Sequence, residues 1–199
     1  MARSPCGLTS ACSWSTALLD QRDLDNYPFP LATRLSRAGT RTLACVWGTK
    51  QHSGSSLIRI EQAIPGPPPL FECCRTVHTT VSSQSPSFKE QIREQLSAVS
   101  PIPPGPVRMQ LCHTVGPARN RLTLWKPTID ALGPILRYTA SAGPWSPLDG
   151  RIVDLGLHCR VNPSMGNDVI ITTAATSIRT QSPDLSANYK RHRTILRRA

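Results

Sequence analysis

The sequence predicts a strand-rich α+β fold: about seven or eight short strands in a small sheet, a sandwich or a partly open barrel, with one amphipathic helix. Three observations predict it. Alternation of apolar and polar residues recurs in pieces of strand length. A single window has helical spacing. Gly, Pro and Ser cut the chain everywhere else into short segments, with 19 Pro and 12 Gly among 199 residues. That length suits one domain with arms, and aromatic residues make up only 5% of it. The division that follows is an N-terminal flexible arm over 1–38, a strand-rich domain over 39–180 and a basic tail over 181–199.

Three segments alternate cleanly. In Phe71–Val81, Phe71, Cys73, Val77 and Val81 share one face. In Val107–Val115, Val107, Met109, Leu111 and Val115 do so. In Ile152–Val161, Val153, Leu155, Leu157, Cys159 and Val161 form the apolar face, and the turn Pro147-Leu-Asp-Gly150 feeds that strand. Weaker strand candidates are Arg41–Trp47, Leu57–Ile64, Arg121–Trp125, Ile135–Thr139 and Val169–Ile178. The helix is expected over about 87–99. Ser87 and Glu90 form a capping box, Phe88, Ile92, Leu96 and Val99 make one apolar stripe, and Pro101 closes it. Two Pro-rich hinges flank this region, Ile64–Leu70 and Pro101–Val107, and favour extended polyproline II backbone.

The charge is uneven. Residues 181–199 hold five bases and one acid, net +4 of the formal +11. Lys190, Arg191, Arg193, Arg197 and Arg198 form an anion-binding cluster, suited to nucleic acid, nucleoprotein or an anionic membrane surface. Arg outnumbers Lys 19 to 4, and a guanidinium fork matches phosphate geometry. Pro103, Pro106 and Arg108 fit a Pro-x-x-Pro-x-Arg peptide-ligand motif for a polyproline-reading domain. Ser182, in one of five Ser-Pro pairs, would place a phosphate beside the tail.

No phosphate-cradling Gly loop, no Gly-x-Ser-x-Gly and no His-Glu-x-x-His occurs, so no catalytic residues, cofactor or metal are expected. Cys74, His78 and Cys112 are the residues that could share a face as ligands. Seven cysteines, odd in number and irregular in spacing, fit reduced thiols in the cytoplasm or nucleus, or in a virion if the chain is viral. These features point to a non-enzymatic structural or assembly protein that binds nucleic acid, nucleoprotein or anionic membrane and self-associates. A nuclear adaptor acting through Pro-x-x-Pro and Ser-Pro segments, and a poorly folded product of an overlapping reading frame, are the alternatives. In length, basic balance, Pro-rich stretch and small sheet the layout is similar to matrix proteins of negative-strand RNA viruses. That resemblance implies a matrix- or coat-like role, although the Pro-Pro-x-Tyr signal is absent, because Leu70 follows Pro67-Pro-Pro69.

Overall fold

The computed structural model describes residues 6–7, 23–38, 43–50, 61–62, 70–139 and 143–178. The chain order is β1 (Cys6–Gly7), α1 (Pro28–Ala38), β2 (Cys45–Thr49), β3 (Glu61–Gln62), β4 (Cys73–Thr79), α2 (Pro86–Gln95), β5 (Val107–Val115), α3 (Trp125–Asp130), α4 (Gly133–Leu136), β6 (Ile152–Val161) and β7 (Val169–Ser177). Single 3-10 turns precede α1, α3 and β6. The fold is α+β, built on one mixed sheet of five strands in the order β2-β6-β5-β7-β4, and β1 and β3 form a separate two-stranded ribbon. Seven or eight strands in one sheet, sandwich or barrel is therefore corrected to five. The clean alternators β4, β5 and β6 all pair, as do β2 and β7.

Two of the weaker candidates are helical instead. Leu124, Trp125, Thr128 and Ile129 are buried at helical spacing across a 3-10 turn and α3, where Arg121–Trp125 was expected as a strand. Ile135 and Leu136 lie in α4, which opens on Gly133-Pro134. Proline near a helix start has its missing N–H where no partner is needed, so it favours the turn. Two-residue alternations inside such short windows carry too little period to separate the two readings. The single expected helix becomes four among the described residues.

The helix expected over 87–99 runs instead from Pro86 to Gln95. Its cap is Ser85, whose hydroxyl accepts from the Ser87 amide, because Pro86 takes the first helical position and moves the cap two residues ahead of Ser87. Phe88, Ile92 and Leu96 are buried and Val99 packs beside them, as the stripe requires. Ser97 donates to the Glu94 carbonyl at 2.7 Å, closing the last turn early.

Register assigns every side chain to a face. Val46, Val107, Met109, Leu111, Val115, Leu155, Leu157, Val169, Ile171, Ala175, Cys73 and Val77 join the helices in one core. A register shift between the Val107–Ile152 and Arg108–Asp154 pairs lets both Ile152 and Leu155 point into it, so Val153, expected on that face, is only half-buried. The N-terminal segment joins the same layer. Leu24 lies over Gly48, which offers space where a Cβ would stand 3.0 Å from Leu24. Ala32 is fully buried. Residues 23–38, expected within the arm, thus contribute core; residues 1–5, 8–22 and the whole tail 181–199 lie outside the described residues.

The outer edge of β4 is occupied by α2. Gln95 accepts from the His78 amide at 3.0 Å and donates to the His78 carbonyl at 2.7 Å, and Gln91 accepts from the Thr80 amide at 3.1 Å. These amides replace the strand that an open edge would otherwise recruit. Among the described residues no helix is long and apolar enough to cross a membrane.

Candidate functional site

Lys190, Arg191, Arg193, Arg197 and Arg198 lie outside the described residues. The Pro-x-x-Pro-x-Arg segment is described, and it is woven into the domain. Buried Arg151 donates from Nε to the Gly105 carbonyl at 2.8 Å, from Nη1 to the Leu136 carbonyl at 3.0 Å, and from Nη2 to the Pro103 carbonyl. The Pro106 carbonyl accepts from Ile178 N at 2.8 Å, and Ile102 N donates to the Ile135 carbonyl at 2.9 Å. Arg108 Nε meets Asp154 Oδ2 at 2.9 Å across β5 and β6. Pro103, Pro106 and Arg108 are therefore near one another, with the arginine turned onto the sheet and the backbone carbonyls engaged from within.

Carboxylates from separate segments converge on Lys126. Its ammonium lies 2.9 Å from Asp130, 3.4 Å from Asp25 and 3.6 Å from Asp149, and Lys89 bonds Asp130 at 2.8 Å. Asp23, Asp25 and Asp149 each place an oxygen within 4.8 Å of the others, which makes them the one described group with metal-ligand proximity. Burial and the neighbouring Asp23 push the Asp149 carboxyl up to about 6, against the pull of Lys126. Burial likewise raises Asp25. For Lys126, burial acts downward, and the bond to Asp130 with the charges of Asp25 and Asp149 outweighs it and raises the pKa. The arrangement pins the N-terminal turn and the turn before β6 to α3 through one ammonium. It uses acids inside the fold in a strongly basic chain.

The second sheet face carries Cys45, Trp47, Asp154, His158, Arg108, Gln110 and Cys112, opposite the helices. Gly156 has no side chain, and a Cβ there would stand 2.9 Å from Trp47 and 3.0 Å from His158 Nε2. That space lets the indole and the imidazole meet edge-on at 5.3 Å between centroids. Burial lowers the His158 pKa to about 4. On the core face His113 is also fully buried, with Nε2 3.1 Å from the Thr128 hydroxyl, and burial lowers it to about 4 as well. Cys74 and His78 share the second face of β4, where His78 meets Asp168 at 3.0 Å, but β7 separates that strand from Cys112 on β5. Those three do not converge.

An open groove of about 560 Å³ lies between the end of α2, α4 and the loop before β6, lined by Arg93, Val99, Pro134, Tyr138 and Pro144. Arg93 stacks its guanidinium 4.5 Å from the centroid of Trp145, and Lys89 lies 5.8 Å from the same ring. Tyr138 is 40% exposed. Sequence reasoning missed this grouping because Arg93 reads as the wet side of a helix and Trp145 as one residue in a Gly-Pro-Trp-Ser-Pro loop. The only signal was that a tryptophan in such a loop serves neither strand nor helix pattern. No protein family, curated protein or solved structure matches this chain.

Proposed function

We propose that this chain is a non-enzymatic structural or assembly protein whose ligand is nucleic acid. One observation carries the reading: the described aspartates Asp25, Asp130, Asp149 and Asp154 are each held by a lysine or arginine within the fold. Arg34, Arg37, Arg137 and Arg160 are exposed, with no described carboxylate against them. These exposed guanidinium groups share the surface with Glu90 and Glu94 of α2, and the tail adds five more cations. Guanidinium groups spread over a surface bind the phosphate backbone and release its counterions.

The test is a salt titration of the full chain with a duplex and with a single-stranded oligonucleotide. If the five tail cations each neutralise one phosphate, duplex binding falls with a log-log slope of about −4.5, and deleting 189–199 removes that slope while leaving the melting transition. Binding to phosphatidylserine vesicles with none to either oligonucleotide overturns the nucleic-acid reading in favour of an anionic membrane.

A further inference from the structure

We propose that the groove between α2 and α4 binds one nucleotide unit of single-stranded nucleic acid, with the base on Tyr138 and its phosphate on Arg93. This rests on the nucleic-acid reading above and names a site for it inside the folded domain, separate from the tail. The groove volume, about 560 Å³, falls in the range of small-ligand sites. No carboxylate lines it. A guanidinium stacked by its face on an indole keeps its edge N–H donors for a phosphate oxygen, and the stack limits the orientations it must give up on binding. Arg93 places its Cζ over the Trp145 ring, 4.5 Å from the centroid.

Tyr138 supplies the second element. A Cβ at Gly133 would lie 1.9 Å from its ring, so the ring rests directly on the glycine backbone. That bracing holds an aromatic face at the groove while leaving it 40% exposed. The residue before it, Arg137, has φ 70, and it is the only described non-glycine residue with positive φ. Such a conformation costs about 1–3 kcal/mol in a bulky residue and persists where surrounding contacts fix it. Here the Arg137 carbonyl accepts from Leu148 N at 3.0 Å, and the next bridge pairs Tyr138 with Pro147. The Arg137 side chain itself turns to the Ile102 carbonyl, 3.5 Å from its Nε, and leaves Arg93 as the cation of the groove. An aromatic platform beside an arginine is how proteins take unpaired bases without reading their sequence. A duplex hides its base faces, so the ligand is single-stranded.

The experiment uses the full-length protein and a 12-mer of oligouridylate, with the matching oligothymidylate as a second arm. Binding is followed by tryptophan fluorescence, with Trp145→Phe to assign the signal. At fixed salt, Tyr138→Ala should weaken binding on the order of ten-fold with the salt slope unchanged, as loss of one stacked base does. Tyr138→Leu, which keeps apolar bulk, should weaken it similarly. Arg93→Ala should reduce the slope by about 0.7, the share of one phosphate on a single strand. Equal weakening with both oligomers leaves the site indifferent to the 2′-hydroxyl. If either folded Tyr138 variant binds as the parent does while the tail deletion abolishes binding, the groove proposal is overturned and the nucleic-acid reading stands. If the intact chain binds neither oligomer nor a duplex, the reading itself falls.

Discussion

Lowering the pH from 7 to 5 should destabilise the fold through its two buried histidines. His113 and His158 each have a folded pKa of about 4 against an ordinary 6.5. The unfolded chain therefore binds the more protons between pH 6.5 and 4. The stability these groups contribute is present above 6.5 and is lost as pH falls through that window. At pH 5 each costs about 2 kcal/mol, together about 4 kcal/mol. Asp149 acts in the opposite sense. Its carboxyl is held near 6, above the ordinary 3.8, so acid relieves a penalty that is fully present at pH 7. Screening at this partly wet site limits that relief to about 1 kcal/mol. Asp25, also raised, adds to the relief. The net loss is about 3 kcal/mol or slightly less, a large part of a typical 5–15 kcal/mol stability. With a urea slope of about 1–3 kcal/mol/M, the midpoint should fall by about 1–3 M. The assay is urea denaturation followed by far-UV circular dichroism at both pH values. His158→Phe keeps an aromatic ring against Trp47 and removes one titration, so its net pH-dependent loss should drop by about two-thirds, to about 1 kcal/mol. An unchanged or higher midpoint at pH 5, or a His158→Phe variant with the parent's pH dependence, refutes the reasoning.

Two further substitutions test the frame that holds the groove and the sheet. Arg151→Met should destabilise the protein by about 3 kcal/mol, because it strands three carbonyl acceptors around a buried site; thermal melts give the value, and a loss below about 1 kcal/mol would mean water replaces the guanidinium without cost. The double variant Gln91→Ala and Gln95→Ala strips three hydrogen bonds from the outer edge of β4 and should turn a monodisperse sample into concentration-dependent oligomers by light scattering; a species of the parent's mass at every concentration counts against edge protection.

How much of this was legible in the sequence depended on the number of consecutive residues obeying one rule. Val107–Val115 carries nine residues of alternation, and the strand occupies those residues. Ile152–Val161 also has the expected bounds, but its core face was misassigned at Val153, since a bulge is a property of the pairing and leaves no mark on one strand alone. Ile135–Thr139 gave only two or three residues of pattern, which a helical turn satisfies equally. The buried ion cluster was not legible at all. Asp25, Lys126 and Asp149 are each about 25 to 100 residues from the next, and each looks like an ordinary surface charge. Likewise Arg108 was read as a ligand residue, and its pairing with Asp154 depends on β5 and β6 being parallel neighbours.

The same topology accounts for why a basic chain spends acids where it does. The segment before α1 and the turn before β6 meet at α3, and Lys126 joins them by charge. Three carboxylates around one ammonium leave an excess of negative charge there, and burial with the neighbouring acids raises Asp25 and Asp149 against the pull of Lys126. With Asp154 fixed on Arg108 and Asp168 on His78, the described aspartates after Asp25 are committed to holding the fold together. An arginine such as Arg160 at the end of β6 then faces solvent without a compensating carboxylate. Part of the positive charge is thus left without an internal partner, and removing the tail's +4 from the formal +11 still leaves residues 1–180 at +7.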